Sequence, residues 1–325
     1  MTITRRTALK SAAAAALVPA GLSGLGPARA AAPLFGKQVP SIYRYKLGQF
    51  EITVLGDGAL KAPQPEAIVV NQPFNEVQKA LEGAHLPKDQ IVNVFTPFVV
   101  NTGRQLVLFD AGFGDNGPPG VGLLASHMSA AGIDPKTIDA VIISHFHPDH
   151  IAGLRNKAGA AVYSNAEIMV PSSEWTFWRD DGEMNKAKDV WKPSFVHTRR
   201  VFDPIANDVK RFEYGKELLP GITSVDARGH SPGHAGFVIA SGDAKLLYFA
   251  DTTNNPALFA RNPEWHLWAD MDAGLAVSAR KRLLDMAAAE RMPIAGYHYP
   301  FPAVGYIEKR GSGYDFVPAT WQHVL

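Results

Sequence analysis

The stretch "SHFHPDHIAGL" at residues 144–154 places His145, His147, Asp149 and His150 within six positions of a chain that has 11 histidines in all. Packing alone does not ask for such a cluster. The run before it, "IDAVIISH", is continuously apolar and reads as a buried strand, so the cluster lies at that strand's C-terminal end, where α/β folds usually gather their sites. If residues 145–147 stay extended, side chains two apart point to the same side. Pro148 then breaks the strand and turns Asp149 and His150 back toward the same space. Two neutral imidazoles within reach of one point suit zinc or a similar borderline metal. A carboxylate and a third imidazole beside them exceed what one tetrahedral ion needs once distant ligands are counted. The spacing therefore predicts two metals and further ligands elsewhere in the chain.

Candidates follow downstream. "GHSPGH" at residues 229–234 offers His230 and His234, "FADTT" at 249–253 ends an apolar run with Asp251, and "YHYPFP" at 297–302 ends another with His298. Each falls at the expected C-terminal end of a strand. The succession H-x-H-x-D-H, glycine-flanked histidine, strand-ending aspartate and late histidine resembles the metallo-β-lactamase superfamily across roughly residues 50–305. The resemblance implies an α+β fold, the αβ/βα sandwich of two mixed β-sheets packed face to face with helices outside. It implies that His145, His147 and His230 hold one metal and that Asp149, His150 and His298 hold a second. Asp251 would bridge the two, with a hydroxide between them. The cofactors would be two divalent ions, zinc first, with manganese, cobalt or iron as alternatives. His234 is expected to be a supporting, hydrogen-bonded loop residue. His85, His127, His197, His266 and His323 lack such context and read as surface or packing residues, although His197 and His266 stand in aromatic segments near which a pocket could form.

The N-terminus reads differently from the rest. "TRRTALK" is followed by a short Ala/Leu/Val run and then by Ala28-Arg29-Ala30, a charged region, an apolar region and a small-x-small cleavage site. The paired Arg5 and Arg6 point to the twin-arginine export route, with residues 1–30 as the signal and the product periplasmic or secreted. The apolar run is too short for a stable membrane span. The segment carries Arg5, Arg6, Lys10 and Arg29 and no acidic residue, so its removal leaves 28 basic against 31 acidic residues. No Lys/Arg run then remains to argue for nucleic acid. Zero cysteines exclude disulfides, thiolate ligands and a Cys nucleophile.

Residues 31–325 are expected to form a single hydrolase domain, with 31–48 as an N-terminal arm whose Leu34, Phe35, Ile42 and Tyr43 either cover their own domain or pack in a homodimer. Residues 50–58 alternate as a strand. Residues 95–112 hold two β-rich runs around "NTGR", a hairpin signal. Helical spacing at 121–133 stops at Gly132. Residues 166–178 read as strand, serine cap and helix, and 221–253 as three strands with a turn at "SGDAK". Residues 275–292 form the clearest amphipathic helix, followed by a last strand.

"YRYKLGQFEITVLGDG", "FVVNTGRQLVLFDAG", "SHFHPDHIAGL", "GHSPGH", "HYPFPAVGYI" and "GYDFVP" are further similar to the methyl parathion hydrolase group, which is related to lactonases and aryl esterases. That resemblance implies a small-molecule substrate and a pocket walled by aromatic side chains, for which Phe113, Phe177, Trp178, Trp191 and Phe195 are the candidates. The expected activity is hydrolysis of lactones or aryl esters, with aryl organophosphates as a side or main activity. The bridging hydroxide would attack a carbonyl or phosphoryl centre, and Asp149 and Asp251 are the catalytic carboxylates, Asp149 as acceptor of the hydroxide proton. Other branches fit less well. True β-lactamases usually lack the bridging aspartate, the RNA-processing branch carries an extra domain and basic surfaces, and glyoxalase-II-like thioesterases differ in their C-terminal parts. Asn254 stands where quorum-signal lactonases typically carry a tyrosine, which weakens an acyl-homoserine lactonase reading. A metal-storing or sensing protein without catalysis is the alternative from another class.

Overall fold

The computed structural model describes residues 32–62 and 65–325, so the expected signal at 1–30 lies outside the described residues. Pro40–Leu325 form one compact unit. Among the described residues two mixed sheets carry the fold. The first holds, in spatial order, Ile42–Leu47, Phe50–Leu55, Phe98–Asn101, Leu106–Phe109, Ala140–Ile142, Glu167–Pro171 and Lys210–Phe212. The second holds Glu217–Leu219, Ile222–Asp226, Ala235–Ser241, Ala244–Tyr248, Ile294–Ala295, Val304–Arg310 and Gly313–Pro318. A separate ribbon pairs Gly58–Ala62 with Ile91–Phe95.

Neighbouring residues along the central strands point to opposite faces, and here both faces are covered. Val100, Val107, Phe109 and Ile142 of the first sheet meet Phe237, Ile239, Leu246 and Tyr248 of the second in the layer between them. Phe109 lies edge-on to Phe237 at 5.3 Å between ring centroids, which fixes the sheets face to face. The alternate residues Val99, Leu108, Val141 and Val170 turn outward, onto Leu124, Met128, Trp178, Phe195 and Phe202 of the helical layer. Leu247, Phe249 and Ile294 do the same beneath Leu283, Leu284 and Ala287 of helix Ala273–Ala289. This double burial explains why "LVLFDA" and "KLLYFAD" read as unbroken apolar runs rather than alternating ones. Each such buried Leu or Phe contributes about 1.5–3 kcal/mol of transfer free energy.

Several expectations are corrected. Ile42–Leu47 is an edge strand paired with Phe50–Leu55, so the arm is shorter than 31–48. Ile42 and Tyr43 pack on their own cores, while Leu34 and Phe35 are exposed. No serine caps helix Ser172–Trp178; Pro171 precedes it and Ser172 is already helical. The strand at 294 is not the last, because Val304–Arg310 and Gly313–Pro318 form a hairpin beyond it. Its exposed edge residues broke the apolar run on which the strand reading relied. Two further helices, Asp181–Lys186 and Lys192–Phe202, follow helix Ser172–Trp178 in the chain. No helix among the described residues is long and apolar enough to cross a membrane.

The strand Ala140–Ile142 lies parallel to Leu106–Phe109, and the chain beyond both ends meets at one rim of the sandwich. There the amide of Ala111 donates to the His150 carbonyl at 2.8 Å, and that of Gly153 to the Gly112 carbonyl at 2.8 Å. Gly153 is required for this approach, since a Cβ there would collide with the Ala111 carbonyl oxygen. Gly153→Ala is therefore expected to overpack the rim and to lower stability by about 1–3 kcal/mol, read as a lower midpoint in denaturant melts at unchanged slope.

Candidate metal centre

The histidine-rich loop begins two residues beyond Ile142. Ser144 anchors it, with its amide and hydroxyl donating to the buried Asp110 carboxylate at 2.8 and 2.9 Å. Pro148 then occupies the first position of a short helix, Pro148–Ile151, where a missing amide hydrogen costs nothing. That turn brings Asp149 and His150 back beneath His145. From the second sheet, Asp251 follows strand Ala244–Tyr248, and His298 follows Ile294–Ala295. His230 lies in the loop between Ile222–Asp226 and Ala235–Ser241.

The structure brings all seven expected ligands together as two groups that could hold a metal ion, His145 with His147 and His230, and Asp149 with His150, Asp251 and His298. Asp251 lies between the groups. Its Oδ2 is 2.8 Å from His298 Nε2 and 3.3 Å from His230 Nε2, and its Oδ1 is 3.2 Å from His150 Nε2. His234 is buried and belongs to neither group. Its Nδ1 pairs with the Ala227 carbonyl at 2.9 Å and its Nε2 accepts from the Asp251 amide at 3.3 Å. The remaining five histidines join neither group.

The donor atoms fit cations. His150 Nε2, His230 Nε2 and Asp251 Oδ1 are buried without a hydrogen-bond partner. Two of these nitrogens are within 3.3 Å of an Asp251 oxygen, but without hydrogen-bond geometry. His145 Nε2 faces His147 Nδ1 at 3.0 Å, two ring nitrogens that a shared cation satisfies as well as a shared proton. Buried polar atoms left bare are costly, and inward lone pairs on imidazoles and carboxylates are the chemistry of a metal site.

The outer nitrogens are tied down. His150 Nδ1 is 3.0 Å from Asp110 Oδ2, His230 Nδ1 is 3.0 Å from Asp270 Oδ1, and His298 Nδ1 pairs with the Val94 carbonyl at 2.8 Å. Asp110 also accepts from the Tyr248 hydroxyl at 2.6 Å, and Asp270 from the buried Arg280 at 3.0 Å. Such partners fix the tautomer and aim Nε2 inward. Burial holds His145 and His147 well below the ordinary histidine pKa, hence neutral. Burial opposes charge on His150 too, but Asp149, Asp251 and Asp110 outweigh it and raise its pKa. For His230 burial is likewise outweighed, by Asp251 and Asp270, and the pKa rises to about 9. Burial also opposes charge on Asp251, yet His298 and His150 hold its carboxyl well below the usual range. Asp251 thus stays ionised beside the neutral imidazoles of His145 and His147, the protonation states in which these groups can ligate a cation.

A cavity of about 410 Å³ opens onto these groups. His147, Asp149, His230, Asp251 and His298 form its floor, and Leu60, Ile68, Ile91, Leu267, Trp191 and Trp268 its walls. Of the five aromatic candidates only Trp191 lines it. Trp178 and Phe195 are wholly buried behind the wall, Phe177 packs on both, and Phe113 packs edge-on to Phe95 at 5.0 Å. These four side chains serve the core instead. Trp191 stacks on His147 at 5.1 Å and on Trp268 at 5.9 Å, so the imidazole and two indoles form a run of parallel rings along the cavity. Trp268 was not singled out from sequence, though the aromatic segment around His266 carried the signal. Asp110, Glu174 and Asp270 were also missed, because a lone acidic residue has no local signature.

Residues 96–298 match the family model described as the metallo-beta-lactamase superfamily. Among solved structures, AidC, described as a dizinc quorum-quenching lactonase, superimposes with a TM-score of 0.83 at 24% identity, over 87% of this chain and 99% of that one. The hydrolase AbOPH, described as in the beta lactamase superfamily, gives 0.83 at 25% identity over 88% and 100%. An N-acyl homoserine lactonase of Bacillus cereus is 24% identical over 165 residues, 50% of this chain and 57% of the lactonase. A ribonuclease, TTHA0252, of Thermus thermophilus is 27% identical over 131 residues, 38% of this chain and 28% of the ribonuclease. The chain thus spans well under two thirds of either relative's length.

Replacing Asp251 by Ala removes the one carboxylate that touches both groups, and should weaken metal binding at both; Asp149→Ala should weaken only one. Metal analysis of the purified variants after dialysis checks this, and equal metal content in the two variants would contradict the arrangement.

Proposed function

The chain belongs to the metallo-beta-lactamase superfamily and is a metal-dependent hydrolase; on that premise we propose that it is exported and opens lactones or aryl esters. The observation that carries this reading is the cavity. Its floor is formed by His147, Asp149, His230, Asp251 and His298 from the two donor groups, and its walls by two stacked indoles and four aliphatic side chains, with Lys61 the one lysine or arginine along it among the described residues. A neutral ester with a flat or apolar substituent matches such walls, and a polyanion does not. The similarity to proteins described as lactonases supports the same class.

Two divalent ions, zinc first, held by His145, His147 and His230 and by Asp149, His150, Asp251 and His298, would supply Lewis acidity and a water ionised near neutral pH. The chain's own part is positional. Asp149 is the more open of the two carboxylates, with 16% of its side chain exposed against 4% for Asp251. Its Oδ2 stands at the cavity floor, 3.3 Å from His150 Nε2 and 3.5 Å from His298 Nε2, placed to take a proton from attacking water. Asp251, closed in by three imidazoles, holds both groups in register. Trp191 and Trp268 present ring faces that orient the leaving or acyl group, and the apolar wall excludes bulk water.

A second reading, an aryl phosphotriester as the main substrate, is favoured by the paired indole faces, which suit an aromatic leaving group. Export rests on Arg5 and Arg6, and a fusion whose location is unchanged by replacing both with Lys would count against it.

Purified protein assayed on an aromatic lactone and on methyl parathion separates the readings. The expected outcome is faster lactone opening, abolished by chelation and restored by zinc. Faster phosphotriester cleavage would select the second reading, and turnover of neither would overturn both. Asp251→Asn should lower kcat by orders of magnitude. Trp268→Ala should raise KM for aryl substrates roughly two- to tenfold, the worth of one ring–ring contact, with little change in kcat.

A further inference from the structure

Glu174 is a wholly buried carboxylate that the chemistry above does not use. It lies on helix Ser172–Trp178 and every lone pair that can be counted on it is engaged. Oε2 accepts from the Phe146 amide at 2.8 Å and from Trp178 Nε1 at 2.7 Å. Oε1 accepts from the Ser231 hydroxyl at 2.6 Å and from the Gly233 amide at 2.5 Å.

The positions of these donors matter more than their number. Phe146 is the residue between His145 and His147. Ser231 follows His230, and Gly233 closes the same loop. One carboxylate therefore ties together the two loops that carry all three histidines of one donor group, across 57 residues of sequence on one side and 28 on the other. Gly233 is part of the device, because a Cβ there would collide with the Glu174 amide and push the loop away. Trp178, the fourth donor, stands edge-on to His147 at 6.0 Å. The other donor group has anchors of its own, Asp110 behind His150 and the Val94 carbonyl behind His298, and meets the Gly233 loop through His234, whose Nε2 accepts from the Asp251 amide at 3.3 Å.

We propose that Glu174 is a positioning residue that sets the metal affinity of the His145–His147–His230 group selectively, leaving the Asp149–His150–Asp251–His298 group to its own anchors. This rests on the metallohydrolase reading but not on the identity of the substrate. Glu174→Gln is the direct variant. An amide keeps the shape but offers one accepting oxygen, so its NH2 must face either the Phe146–Trp178 pair or the Ser231–Gly233 pair of donors. One of the two loops loses its tie.

The test is a zinc titration of metal-free protein against a chromophoric chelator, with no substrate present. Wild type should show two binding steps. In Glu174→Gln one step should weaken by roughly tenfold or more while the other stays close to wild type, as for loss of an outer-shell partner. Ser231→Ala, which removes a single donor from the same carboxylate, should show the same asymmetry at smaller size and decides the matter if Glu174→Gln does not fold. Unchanged steps in the folded variants, or both steps weakened alike, would overturn the proposal. A wild-type protein that bound no zinc would overturn it together with the metallohydrolase reading, whereas failure of the lactone assay alone leaves these affinities to be measured as they stand.

Discussion

Burying the Asp251 carboxylate is the constraint around which the rim of the sandwich is arranged. A buried charge without partners is prohibitively costly, and one with partners is stable only while all of them stay in place. Asp251 meets His298, His230 and His150 through its oxygens and His234 through its amide. These four histidines come from three separate segments, on both sheets. The inter-sheet layer of Phe109, Phe237 and Tyr248 is what holds those segments at a fixed distance. Core packing and the charged centre are therefore coupled: a shift of the sheets would expose or strand a carboxylate, and loss of the carboxylate would leave three imidazoles without a common partner.

The imidazoles are oriented from behind, and the kinds of anchor differ. His298 and His234 lean on backbone carbonyls, which move only with their strands. His150 and His230 lean on Asp110 and Asp270, which are themselves held by Tyr248 and by Arg280. Arg280 also donates to the carbonyl of Thr252, next to Asp251, at 2.9 Å, so one buried guanidinium steadies residues beside both donor groups. This is a connected polar network with few loose ends, the condition under which buried polar groups specify a structure rather than weaken it.

How much of this could be read in the sequence follows from the range of each interaction. The donor cluster at 145–150 is local, and its spacing carried the chemistry directly. Asp251 and His298 are distant but share one local mark, a polar residue just beyond an apolar strand, and His230 is marked by the glycine before it. The hairpin at "NTGR" and the helix after Asp272 were legible from turn residues and helical spacing. Glu174, Asp110 and Asp270 were not, because their partners lie tens of residues away and an acidic residue in a helix or loop looks the same whether it faces solvent or four donors. The aromatic wall failed for a different reason. Trp178, Phe195, Trp191 and Trp268 all sit in charged, aromatic-bearing segments, and only the burial of each decides between core and cavity. Strand Val304–Arg310 was missed because its residues Tyr306, Glu308 and Lys309 face solvent, whereas the inner strands are apolar on both faces.

The division between strand ends and inserted segments also bears on substrate choice. The donor groups stand where the strands of both sheets end, or in the tight loops between them, and are locked by the network just described. The cavity walls come from elsewhere: the ribbon at Leu60 and Ile91, the segment before helix Lys192–Phe202, and the stretch around Leu267 and Trp268. These segments also anchor the centre, the ribbon through the Val94 carbonyl on His298 and the stretch beside Trp268 through Asp270 on His230; the wall side chains Leu60, Ile68, Ile91, Leu267 and Trp268 make none of those contacts, so they can change without removing a partner from the carboxylate network. The two relatives that match parts of this chain at 24% and 27% identity, a lactonase and a ribonuclease, themselves bear the names of different activities. On the function proposed above, the stacked indoles rather than the donors would set this chain's selectivity.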